Sequence, residues 1–325
     1  MQRTLRLLSG TTVTGLLVLT LALTAVAQRN PTMPSQMNDA DREALYTRFS
    51  ENKKVPISER QRLAYEAAKE YLNRFNEPTD RYIPEVRKFV TDYEKVMRQY
   101  ELHTLYAAKN YAKAFELGRS ILQTQPDNFY VLALLSEAAY DESRLGRTNF
   151  DDDAVDYSRR AIALLDGDKV AKPDPFTSKE TGLGFLNFAL GWFLRTKSPS
   201  DAAAALVVAA TTDNPYKTNA LTYNLLGNTI IKGQYGKLSA EYNEKFGNKP
   251  PSPEQQAMLE EIVKLGERAI DAYARAVALT TQPDQQEGKA KMLAQLTTLY
   301  KNFHNNSDAG LAELIAGVLS KPLPQ

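Results

Sequence analysis

The sequence predicts an all-α protein of stacked antiparallel helix pairs, and three observations lead there. Apolar residues recur at intervals of three and four, as in Leu63, Ala67, Ala68, Tyr71, Leu72 and Phe75, which draws one stripe along a helix. Helix-start signatures and Pro- and Gly-rich stretches punctuate these runs. The period-two alternation of a half-buried strand is scarce throughout.

The chain opens with Arg3 and Arg6, then an apolar run from Leu16 to Ala27 that closes on Ala25-Val26-Ala27 before Gln28. A basic start, an apolar middle and a small-x-small site are the parts of a secretory signal, so residues 1–27 are expected to be a signal peptide cleaved after Ala27. Thr20 and Thr24 interrupt the run, which falls short of the roughly 20 residues a spanning helix needs. No stable membrane span is therefore expected after signal removal, and a retained anchor is the rival reading. Thr4 and Leu5 separate the arginines, so this is no twin-arginine signal, and no cysteine follows to take a lipid. These features point to a periplasmic or secreted protein. Residues 28–37 contain two prolines and no apolar period and read as a flexible leader, with organised structure beginning near Asn38.

Residues 38–99 are expected to form N-terminal helices of divergent or capping type. Ser58 with Gln61 three residues on has the form of a capping box, and Ala64 to Leu72 continues the apolar stripe. Further helix starts are marked by Ser198-Pro199 and by Ser252-Pro253 with Gln255. Loops are expected at Leu145–Asp152, Gly167–Lys179 and Gly233–Ser252. Helix pairs that cannot bury their faces alone must stack on neighbours, so repetition is the informative feature. From Tyr111 to Asn128, small Ala114 allows a close helix approach, Ile121 and Leu122 fill the seam, and Pro126 ends the helix. A second stretch places Leu190-Gly191, Ala203 and Pro215 at two successive intervals of twelve residues.

These stretches resemble the tetratricopeptide repeat, whose Gly, Ala and Pro recur at such intervals in a roughly 34-residue unit. Partial matches at Ala154-Val155, Leu226-Gly227, Ala269-Ile270 and Leu296 extend the likeness to about five helix pairs over residues 100–321. Ser136 and Thr297 stand where the small Gly would fall. The resemblance implies a right-handed superhelix whose first helices line a concave, peptide-binding face. It directs His103, Tyr106, Tyr130, Glu137, Tyr140, Phe185, Phe188, Trp192, Arg195, Asn224, Asn228 and Lys232 toward that groove. Trp192 and Arg195, three apart, share a helix face. Leu186 and Leu190 are expected to pack against Ala202–Leu206 instead. Asn224 and Asn228 resemble part of the family's carboxylate clamp, although its basic residues are not reproduced.

Composition narrows the chemistry. Forty Lys and Arg against 39 Asp and Glu give a net charge of +1 over 325 residues, too little for a phosphate-binding field, so no nucleic-acid partner is expected. There is no cysteine and there are two histidines, which excludes thiolate chemistry and leaves little for metal sites. No phosphate loop, paired-His metalloprotease motif or Gly-x-Ser-x-Gly elbow is present. Gly182-x-Gly184 lacks the third glycine and a preceding strand and reads as a loop. Asp151-Asp152-Asp153 reads as a helix-capping run rather than a metal site. His103 and His304 read as structural. The chain is accordingly expected to be a non-enzymatic scaffold for a protein or peptide partner in envelope assembly or maintenance, without cofactor or metal. A glycan- or small-ligand-binding module is the alternative, motivated by Trp192 and the tyrosines. A hydrolase using a carboxylate pair is a third reading that no motif supports.

Overall fold

A computed structural model describes residues 35–55, 58–247 and 249–324. The expected signal peptide and residues 28–34 of the leader lie outside this set. Among the described residues the chain is helical with no strand, and it divides into two compact units between Tyr93 and Glu94.

The first unit contains α1 (Ser35–Lys53), α2 (Ser58–Arg74) and the first part of α3 (Ile83–Ala107). Helix α1 starts at Ser35, so the last residues of the expected leader are helical. The stripe read from the sequence is buried here, with Ala64, Ala67, Ala68, Tyr71 and Phe75 packed on Leu45, Phe49, Val86 and Val90. Gln61 does not complete a capping box: its amide donates to the Lys53 and Val55 carbonyls at 2.9 and 2.8 Å and closes the turn before α2.

The second unit continues with α4 (Tyr111–Thr124), α5 (Phe129–Arg144), α6 (Asp151–Asp166), α7 (Lys179–Leu194), α8 (Pro199–Thr211) and α9 (Ala220–Ile230). A π-turn at Ile231–Tyr235 leads into α10 (Gly236–Phe246), followed by α11 (Pro253–Leu279), α12 (Gln286–Phe303) and α13 (Leu311–Gly317). Each helix packs on its sequence neighbour from α4 through α9, then α9 on α11 and α11 on α12, while α5 also touches α7 and α7 touches α9. This is an all-α, solenoid-like stack of sequence-adjacent helix pairs. Caps fix the starts: Asn128, Ser178 and Ser252 accept from Val131, Thr181 and Gln255 amides, with Pro253 at the first helical position. Ser198 precedes α8 but turns its hydroxyl to Asp201, 2.9 Å away, instead of capping.

Small residues set the helix spacing. A Cβ at Gly191 would lie 2.5 Å from Leu206 Cγ, and one at Gly227 2.9 Å from the Tyr273 ring, so α7 meets α8 and α9 meets α11 at distances only glycine permits. The Ser136 hydroxyl, at a position where the repeat resemblance expects glycine, is satisfied locally, donating to Leu132 O at 2.9 Å and accepting from Ser158 Oγ at 3.1 Å.

Two loop expectations are corrected. Gly182 and Gly184 lie inside α7, packed close to Phe176 and Asn214 respectively. Much of the expected loop at 233–252 is α10, which buries only Phe246, so its apolar stripe is too thin to read as a helix.

Gly191→Ala should lower stability by about 1–3 kcal/mol through overpacking, despite the helix-propensity gain. Gly288→Ala, at an exposed position of α12 with open space around it, should stabilise by up to about 1 kcal/mol. Denaturant melts of the two variants should therefore shift in opposite directions.

Candidate functional site

Helix α5 brings Tyr130, Glu137 and Asp141 onto one face because seven and eleven residues are close to two and three helical turns. Its phase is fixed by the Asn128 cap on one end and by the buried Ser136–Ser158 contact on an adjacent face. Three residue pairs join this stripe to the preceding helices in parallel register. Tyr130 Oη lies 2.9 Å from His103 Nδ1. The Tyr106 hydroxyl lies beside Glu137. Tyr111 donates to Asp141 Oδ2 at 2.8 Å.

Tyr140, on the neighbouring strip of α5, meets α7 edge-on. Its ring centroid is 6.1 Å from Phe185, 5.4 Å from Phe188 and 5.5 Å from Trp192. Tyr216, in the turn after α8, stacks on Phe188 at 4.6 Å and sits 6.0 Å from Phe185. The result is a patch of half-buried tyrosines around Glu137, standing on buried phenylalanines.

Phe185 and Phe188 are therefore not groove residues. They are 6% and 0% exposed and belong to the core clusters on either side of α7. Trp192 and Arg195 do share a face, the guanidinium lying 4.2 Å from the indole. Trp192 is nevertheless a strut: its Nε1–H donates to Ser143 Oγ at 2.9 Å, and that hydroxyl donates to Asp151 Oδ2 at 3.1 Å. The chain of bonds ties α7 to α5 and α6. Leu190 packs with Ala202 and Ala205 as expected, whereas Leu186 joins the cluster shared with Leu135 and Leu165.

The remaining candidates lie further along the first-helix series. Asn228 donates to Asn224 O at 2.7 Å and accepts from Gln295, which also donates to Tyr273 Oη at 2.7 Å. Both amides of the expected clamp are thus engaged within the protein. Asn224 also lines an open cleft of about 820 Å³ with Asn219, Thr280, Gln282, Gln285 and Lys291. Lys232 is exposed in the π-turn.

The aspartate run lies in the first turn of α6, where its charge suits the helix dipole, but Phe150 is the cap residue and no side chain caps the helix. Its members have separate partners: Asp152 pairs with Lys197, Asp153 with Arg119, and Asp151 is buried against Ser143. Among the described residues no cluster of three or more His, Asp or Glu side chains is arranged to hold a metal. His304 stacks on Tyr300 and bonds Tyr300 O at 2.9 Å. No described helix is long and apolar enough to cross a membrane.

Electrostatics single out Glu137. Burial, reinforced by Asp141, pushes its carboxyl up to about 7, and the nearby Tyr106 hydroxyl only partly offsets this. Burial likewise holds Tyr106, Tyr130 and Tyr140 above the usual phenol range and pushes Tyr216 up to about 12. Asp141, Ser143 and Tyr216 were missed by sequence reasoning, and Asp151, read as part of a capping run, is instead buried against Ser143. The eleven-residue step from Tyr130 to Asp141 was the available signal for Asp141, while Tyr216 follows a helix break and carried none.

Two outcomes follow from this geometry. The folded state keeps the Glu137 proton to higher pH than the unfolded chain does, so its contribution to stability falls as pH rises from about 4.5 to about 7. Glu137→Gln should be nearly neutral at acid pH and stabilising by roughly 1–3 kcal/mol above neutrality, read from melts across that range. Trp192→Ala should destabilise by about 3 kcal/mol, comparable to Leu190→Ala, because it removes packing and leaves Ser143 without its donor. Neither a protein-family model, nor a curated protein, nor a solved structure matches this chain.

Proposed function

We propose that this chain is an exported, non-enzymatic scaffold of divergent tetratricopeptide repeats, periplasmic or secreted, that binds a protein or peptide segment along the face formed by α3, α5 and α7. Envelope assembly or maintenance is the setting that suits such a scaffold. The observation that carries the reading is the patch around Glu137 of half-buried Tyr106 on α3, Tyr130 and Tyr140 on α5, and Tyr216 in the turn after α8. Tyrosine supplies large contact area with few rotatable bonds and a polar tip, which suits it to interfaces. The rest of the chemistry is consistent with recognition, since acids outside the patch are largely committed to ion pairs and hydroxyl partners. Export rests on the basic, apolar and small-residue order of residues 3–27.

The amide-lined cleft beside Asn224 favours a second reading, a glycan or other small polar ligand, because Asn and Gln side chains both donate and accept.

A photo-crosslinking residue at Tyr130, on the proposed face, should yield a discrete protein adduct in the native envelope. The same residue at exposed Arg159 of α6 should not. Equal adducts at both positions, or none at Tyr130, would remove the peptide-binding reading. Saccharide binding abolished by Asn224→Ala would put the second in its place.

A further inference from the structure

We propose that Glu137 and the rings of Tyr106, Tyr130, Tyr140 and Tyr216 form a receptor for an organic cation, the ammonium or guanidinium of a Lys or Arg side chain in an extended peptide. This rests on the reading of the face as a peptide-binding surface and specifies what that surface selects.

The first support is an unmet charge. Among the described residues no Lys or Arg pairs with Glu137, although it is half-buried. Of the basic groups nearest along α5 and its following turn, Arg144 lies over the Tyr140 ring, 5.7 Å from its centroid, and Arg147 binds Glu142 at 2.7 Å, so neither pairs with Glu137. The groups that face Glu137 are Asp141 and Tyr130 on its own helix, Tyr106 on α3 and Tyr216 after α8. His103 and Asp174 act one step further out, through Tyr130. Arg144 thus reaches one ring of the set, while the Glu137 carboxylate itself has no cation among the described residues.

The second support is the unused bonding capacity of the aromatic wall. Neither the Tyr140 nor the Tyr216 hydroxyl has a hydrogen-bond partner among the described residues, whereas Tyr111 and Tyr130 do. Phe185 and Phe188, fully packed beneath, hold both rings in place before any ligand arrives. A prearranged set of aromatic faces attracts a cation through the ring quadrupole, and a neighbouring carboxylate supplies a charge-assisted bond.

Rival ligands fit less well. An anionic segment would meet Glu137 and Asp141. A purely apolar side chain would cover Glu137 and leave it without a partner. A hard metal ion would find too few carboxylates, since no group of three or more metal ligands converges among the described residues. A long cationic side chain suits both requirements, with its methylenes against the rings and its charge at the carboxylate.

The test titrates the full chain with a capped peptide, acetyl-Ala-Ala-Lys-Ala-Ala-amide, against its norleucine counterpart and against butylammonium, following tyrosine ring resonances and the Glu137 carboxyl carbon. The lysine peptide should bind, and its affinity should rise as pH increases through about 7, where Glu137 loses its proton. Binding should also move the Glu137 titration to lower pH, which steric contact alone would not do. Glu137→Gln, isosteric and expected to fold, should weaken binding about tenfold or more. Tyr140→Leu should weaken it while Tyr140→Phe retains most of it. Equal binding of the norleucine peptide would overturn the cation receptor but leave the peptide surface standing. Binding of butylammonium without the lysine peptide would overturn a peptide as the source of the cation. Binding of none of the three would overturn the proposal outright.

Discussion

A helix that is apolar on every side must be covered on every side, and α7 imposes that condition on the second unit. From Leu183 to Leu194 it presents almost nothing polar, and its side chains enter both large clusters, Phe185 on one flank and Phe188 on the other. Helices α5, α6, α8 and the turn carrying Tyr216 provide the cover. The few polar atoms that α7 brings inside must then be satisfied by those same neighbours. Asn187 back-bonds to Leu183 O at 2.9 Å, and the Trp192 indole reaches Ser143. The α7–α8 contact closes only because Gly191 has no side chain to hold Leu206 away. Pair spacing, strut and aromatic floor are consequences of one buried helix.

This also explains what was legible beforehand. Helix class, the helix starts at Ser58, Pro199 and Pro253 and the close contacts at Gly191 and Gly227 follow from periodicity, start signatures and small-residue spacing, all local properties, although Ser252 caps its helix and Ser198 does not. The assignment of Phe185 and Phe188 to a groove failed because a face rule was applied to a helix without a polar face. The composition of α7 carried that warning. The internal position of Gly182 and Gly184 was hidden for a different reason: glycine reads as a breaker locally, whereas here Phe176 and Asn214 approach so closely that a side chain would not fit. Helix α10 has too little buried surface to show a stripe. Tyr216 becomes part of the patch through the return of the chain after α8, a tertiary fact with no local mark.

The acids of this region show how environment separates chemically similar groups. Asp141 accepts a bond from Tyr111, Asp152 and Asp153 have cations, and each remains near solvent. Asp151 is buried, its carboxyl raised by desolvation, with Ser143, Arg195 and Lys197 favouring its charged form. Glu137 has desolvation of the same kind but only a phenol against it. A buried acid without a cationic partner titrates upward to avoid carrying its charge. Glu137 is therefore an acid whose charge state responds directly to what covers it.

The first-helix series consequently changes chemistry along its length. At α3, α5 and the turn after α8 the chain offers tyrosines around an acid; at α9 and α12 it offers the amides of Asn224, Asn228 and Gln295, which bond one another and Tyr273 of α11. The aromatic end is stiff because its rings stand on the same phenylalanines that fill the core. Surface and core positions are thus separated by one layer rather than by distance along the sequence. Removing the Tyr216 ring would change the surface, whereas removing Phe188 beneath it would release Tyr140 and Tyr216 together. The geometry of this face depends on the packing under it, so the buried aromatic layer determines the surface without being part of it.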